Sequence, residues 1–155
     1  HMKSREQFRA IDRALRVSAI AEAFSGRMAV GAMRSTTHPL TRAVYERIVA
    51  DESLHHRLGA LYFEWASEQM SDAERARLSK IALTTLQSLS ITWRTPRDAK
   101  SARHHTTREH IHEIGWVESH LFMDQVRSAV RDGIVAPLAD YGIELRKEDV
   151  DPLLT

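Results

Sequence analysis

The chain is predicted to be all-α, an antiparallel helical bundle with a long polar crossing segment before its last helix. Apolar residues recur at steps of three and four over long stretches without proline, the period of a helix that buries one face. Only six Gly and four Pro punctuate 155 residues, too few turns for a many-stranded sandwich. A composition that is 43% hydrophobic and 28% charged suits a chain able to bury a core, and the length suits one domain.

His1-Met2 reads as a cloning remnant. The bundle is assigned to residues 3–143 and a C-terminal tail to 144–155. The first helix is expected from about Glu6 to Met33, on Phe8, Ile11, Leu15, Ser18, Glu22, Ser25, Ala29 and Met33. It starts with almost no lead-in, which points to a part of something longer. Ser35 to His38 break the pattern, and Pro39 suits a first helical turn. The second helix is expected from about Leu40 to Met70, with Tyr45, Ile48, Glu52, His55, Gly59, Tyr62 and Ala66 on one stripe. Val44, Leu54, Leu58, Leu61 and Trp65 widen that stripe, so this helix is expected to be buried over much of its girth; His56 points away from it. Ser71-Asp72-Ala73-Glu74 has the capping-box pattern, with Ser71 as N-cap and Glu74 reaching back. A third helix follows to Trp93, with Leu78, Ile81, Leu86, Leu89 and Trp93 facing inward. From Thr95 to about Gly115 the chain is polar and basic, with one short helix near Thr107 to Ile114. The last clear helix spans about Glu118 to Leu138, and after Tyr141 a loop or a short helical turn is expected.

Several function classes drop out early. The absence of cysteine excludes disulfides, thiolate metal sites and a Cys nucleophile. Lys+Arg (22) nearly cancels Asp+Glu (21), so no strongly basic nucleic-acid surface is implied. No signal peptide and no run long and apolar enough for a membrane span is apparent, and a cytoplasmic protein without membrane or nucleic-acid partners is expected. Gly-rich phosphate loops, a Ser nucleophile elbow and a zinc-protease His-Glu-x-x-His are missing, and no organic cofactor is inferred. Nine histidines, by contrast, are many for this length, and histidine is the commonest metal ligand.

The informative residues are carboxylates within apolar helical stripes, because burying an unpaired charge is costly. Glu22 is one and Glu52 another, with His55 one turn beyond Glu52. The i, i+3 spacing of Glu52 and His55 is that of bundle-core di-iron and di-manganese sites. The break between the first two helices centres near Thr37, so Glu22 and Glu52 each lie roughly 22 Å of helix from it. An antiparallel pair then sets Glu22 level with Glu52 and His55. The competing reading is a polar core in which these three hydrogen-bond one another, or pair with Arg27 or Arg57, without metal.

With Glu22, Ala50-Asp51-Glu52-Ser53-Leu54-His55-His56, the acid-capped Ser71 to Arg77 and the closing Val130 to Leu138, the chain resembles the ferritin-like superfamily over about Val17 to Ile143. It looks most like bacterial ferritin-like domain proteins. The resemblance implies a four-helix bundle holding a non-haem di-iron, or di-manganese, centre for iron oxidation, peroxide reduction or substrate oxygenation. Glu22, Glu52 and His55 would be metal ligands, and no catalytic residue is assigned. Such a site takes Glu plus Glu-x-x-His twice, whereas the third helix offers Gln87 and Ser88 where an inward acid is needed. Three sources of the second half stay open: His105, Glu109 and His112 of the crossing segment, a homodimer, or a missing N-terminal helix pair. Two other classes compete, a metal-free helical structural or interaction module and a helical DNA-binding regulator. The latter lacks a recognisable helix-turn-helix.

Overall fold

A computed structural model of the chain describes residues 10–94, 108–116 and 119–155. Among the described residues every regular element is helical and no strand forms. Helix α1 winds as a π-helix over Leu15–Glu22 and runs on as an α-helix over Ala23–Ser35. Helices α2 (Pro39–Ser67) and α3 (Asp72–Arg94) follow. The short α4 spans Arg108–Glu113. Helix α5 runs over Ser119–Val130, takes a π-turn at Arg131–Val135 and ends as Ala136–Asp140. The tail forms α6 (Lys147–Val150) and a 3-10 turn, Asp151–Leu154. Residues 1–9, with the expected remnant His1-Met2, and most of the crossing segment, His105 included, lie outside the described residues.

Helix α1 is the hub. Its π-wound stretch packs on α3, its α-helical part packs on α5, and α2 lies antiparallel along both. Leu15 and Ile20 of α1, Leu78 and Leu86 of α3, and Val126 and Ile134 of α5 are fully buried and make the centre of the core. Phe24 and Trp93 join them with ring centroids 5.1 Å apart. The period of three and four therefore identifies these helices for a physical reason: each has a face closed by at least one neighbour.

The helix ends follow local chemistry. Pro39 opens α2 after an extended Thr36, because its ring favours the first helical turn and it has no N–H to leave unpaired. Ser71 Oγ accepts the Glu74 N–H at 3.3 Å, half of the expected capping box. The Glu74 carboxylate turns instead toward Arg77, 3.9 Å away. Arg75 donates 2.7 Å bonds to the carbonyls of Ser67 and Tyr141, so one guanidinium satisfies the C-terminal ends of both α2 and α5.

Two expectations need correction. Helix α2 is not buried over much of its girth. Of its residues only Gly59, Phe63 and Ala66 are buried, because it packs chiefly on α1. Trp65, expected to widen the buried stripe, is exposed. The tail, for its part, is more than a loop or a lone turn. Val150, Leu153 and Leu154 are buried, and Trp93 Nε1 donates to the Leu153 carbonyl at 2.7 Å. Deleting residues 147–155 is expected to lower stability by at least about 4 kcal/mol, since three apolar side chains leave the core at ~1.5–3 kcal/mol each. Urea unfolding monitored by circular dichroism checks this.

Candidate functional site

The site begins with how closely α1 and α2 approach. Gly59 of α2 faces Ser18 of α1 so tightly that a methyl group there would stand 2.9 Å from Ser18 Cβ. Toward the other end of the contact, a methyl on Gly26 of α1 would stand 3.8 Å from Glu52 Cβ. These two contacts fix the antiparallel register. With Ser18 opposite Gly59 and Gly26 opposite Glu52, Glu22 lies level with His55 and His56. Glu52 is then about one turn away, ~5 Å along the axis. The height matching expected from sequence thus holds for Glu22 and His55 and is offset for Glu52. Glu22 also ends the π-wound stretch, a local winding that often re-aims side chains at functional sites.

Glu22 and Glu52 both line a groove of about 250 Å³, along with Gly26, Arg27, Val49 and His56. Each carboxylate residue is half-buried. Glu52 Oε2 is fully shielded from solvent and has no hydrogen-bond partner. Leaving such an oxygen unsatisfied costs about 1–3 kcal/mol. Arg27 overlooks the same groove, but its guanidinium donates to the Asp132 carbonyl at 3.2 Å and packs on Gly133 of the α5 π-turn. Among the described residues neither Glu22 nor Glu52 makes an ion pair, so the polar-core pairing to Arg27 or Arg57 is not formed there. Two hard oxygen donors beside one groove can hold a cation or share a proton.

The histidines divide between the flanks of the α1–α2 contact. At about 100° of helix turn per residue, His55 falls ~60° to one side of Glu52 and His56 ~40° to the other. His55 is exposed and does not line the groove; His56 does, and it also borders the adjoining pocket with Ser18, Phe63 and Tyr141. The i, i+3 stripe selects His55 and passes over His56. The i, i+4 spacing from Glu52 was the signal available for it. Among the described residues no group of three or more His, Asp or Glu side chains stands close enough to hold a metal ion.

The crossing segment does not bring His112 to this groove. The His112 carbonyl accepts from Thr37 N at 3.3 Å, and the Thr36 hydroxyl donates to the Glu113 carbonyl, which fastens α4 to the α1–α2 break. His112 therefore stands roughly 20 Å along α2 from Glu52. Glu109 belongs to α4, with its side chain outside the described set, as is all of His105. Gln87 and Ser88 of α3 are exposed, and the inward positions there are Leu86 and Ser90. Tyr45 donates its hydroxyl to the Ile114 carbonyl at 3.3 Å. Tyr62 and Tyr141 have pKa values raised above 10.0, chiefly by burial and then by Glu74 for the first and by Glu64 and Asp140 for the second. Both stay neutral hydrogen donors at physiological pH.

Gly59→Ala is expected to cost about 1–3 kcal/mol by forcing α1 and α2 apart, and Ser18→Gly in the same chain should recover much of that loss. Glu52→Met should unfold at higher urea than the metal-free parent, by about 1 kcal/mol, because the orphaned oxygen is removed and the volume kept. Equal or lower stability would show that the carboxylate serves the fold.

Comparison with protein-family models, with curated proteins and with solved structures finds no match, so the reading of this groove rests on the residues that line it.

Proposed function

We propose that the chain carries the Glu22, Glu52 and His55 half of a carboxylate-bridged, ferritin-like non-haem di-iron or di-manganese centre, of the oxidase, oxygenase or iron- and peroxide-handling type. The observation that supports it best is the shielded, partnerless Glu52 Oε2 beside a groove shared with Glu22. An oxygen held dry without a donor is stabilised by a cation, and carboxylate oxygens suit iron and manganese. The metals, when bound, would supply redox chemistry toward oxygen or peroxide. The chain's own residues do the positioning. Gly59 against Ser18 and Gly26 against Glu52 hold α1 and α2 at fixed separation, and Arg27 leaves both carboxylates unpaired by donating to the Asp132 carbonyl.

The two carboxylates suit such a site, whereas His55 stands exposed and outside the groove that they line. Glu22 and Glu52 share the groove, His55 lies at the height of Glu22 on the neighbouring flank, and a single copy offers no complete three-ligand group among the described residues. The second half would come from a homodimer or from a further helix pair. A second reading, a metal-free interaction module, is favoured by one observation: the exposed apolar side chains of α2.

Protein purified without metal-affinity resin and reconstituted with iron(II) or manganese(II) is expected to retain about one metal per copy after desalting. Glu22→Ala and Glu52→Ala should abolish retention and His55→Ala should weaken it, whereas His112→Ala should not. Less than about one-tenth of an equivalent in the parent chain would contradict the metal reading, since ligands and metal are thermodynamically linked.

A further inference from the structure

Helix α2 leaves open the face that carries most of its large apolar side chains. Leu40, Leu54 and Leu58 are 68%, 67% and 69% exposed, and Val44, Leu61 and Trp65 are at least half exposed. Ile48 of α2 is exposed beside them, and the other exposed large apolar residues among those described, Val17, Ile91, Ile114 and Leu121, are scattered elsewhere. Positions 40, 44, 47, 51, 54, 58, 61 and 65 step by alternating fours and threes, the seam along which helices pack knobs into holes. Arg47 and Asp51 interrupt the seam but pair with each other at 3.1 Å. Read from either end the spacing is the same, and its midpoint falls between Glu52 and Ser53.

We propose that a second copy of the chain covers this face, with the two α2 helices antiparallel about a two-fold axis at the level of Glu52. A surface that meets itself about a two-fold must be self-complementary, and a palindromic seam has that property. Leu40 then lies beside Trp65 of the partner subunit, and Val44 beside Leu61 of the partner subunit. The aliphatic stem of Arg47 covers Leu58 of the partner subunit while its head keeps Asp51, so no charge is left alone. A specific interface takes roughly 800 Å² from each partner, and seven large apolar side chains exposed along one helix are the kind of surface that supplies it. The axis sets the two Glu52 residues at nearly one height, each turned toward its own α1 and away from the seam, so the apolar interface stands without the proposed function.

Sedimentation of the metal-free full chain at micromolar concentration tests the interface. A dimer is expected, and Leu58→Glu should raise its dissociation constant at least ~30-fold while leaving helical content unchanged, since Leu58 is exposed in the single chain. The chain has no cysteine, so single cysteines report register cleanly. Leu54→Cys, close to the axis, should couple through a short cross-linker, and Leu40→Cys alone should not, whereas Leu40→Cys with Trp65→Cys should. A monomer, a dimer indifferent to Leu58→Glu, or coupling at Leu40→Cys alone would each overturn the interface. A dimer that retains no metal would overturn the metal reading and uphold the interface; a monomer that retains metal would do the reverse.

Discussion

The contact of Gly59 with Ser18 is the constraint on which the site depends. It lets two backbones approach more closely than any side chain at position 59 would permit, and with the Gly26–Glu52 contact it fixes the register of α1 against α2. That register sets Glu22 at the height of His55 and His56 and turns Glu52 toward α1. Glycine in a helix interior costs about 1 kcal/mol relative to alanine. The chain tolerates that cost where the close approach is required.

The energetics of the groove run against the fold. Elsewhere the described core is mostly apolar and closed around α1, with Leu15, Ile20, Leu78, Leu86 and Ile134 excluded from water. At Glu52 an ionisable oxygen is shielded without a donor, and the Arg27 guanidinium, from the same groove, is engaged by the Asp132 carbonyl. Departures of this kind mark ligand sites more often than scaffolds, because nothing in packing alone favours them. The open apolar face of α2 is a second departure, on the flank of the helix away from the groove.

Much of the architecture was legible in the sequence because α1, α3 and α5 each bury a face against a neighbour and print the helical period in their apolar residues. Pro39 and Ser71 marked helix starts through chemistry that acts locally. Helix α2 was legible as a helix and illegible in its packing. Periodicity reports where apolar residues fall, and it does not distinguish a face covered by the same chain from one left open, so Leu54, Leu58 and Trp65 read as core. His56 was missed for a related reason. It sits about 40° from Glu52 but beside α1 rather than along the stripe, and only the interhelical contact reveals which flank closes over the groove. The buried tail escaped because Val150, Leu153 and Leu154 lie on elements too short to show a period.

The central claim is that Glu22, Glu52 and His55 hold a metal ion. An anomalous-difference map from crystals of the iron-reconstituted full chain, recorded on both sides of the iron absorption edge, tests it most directly. The account predicts a peak within coordination distance of Glu52 Oε2, Glu22 and His55, repeated about the two-fold axis. An empty map at this groove, or iron held only by the histidines of the crossing segment, would contradict it.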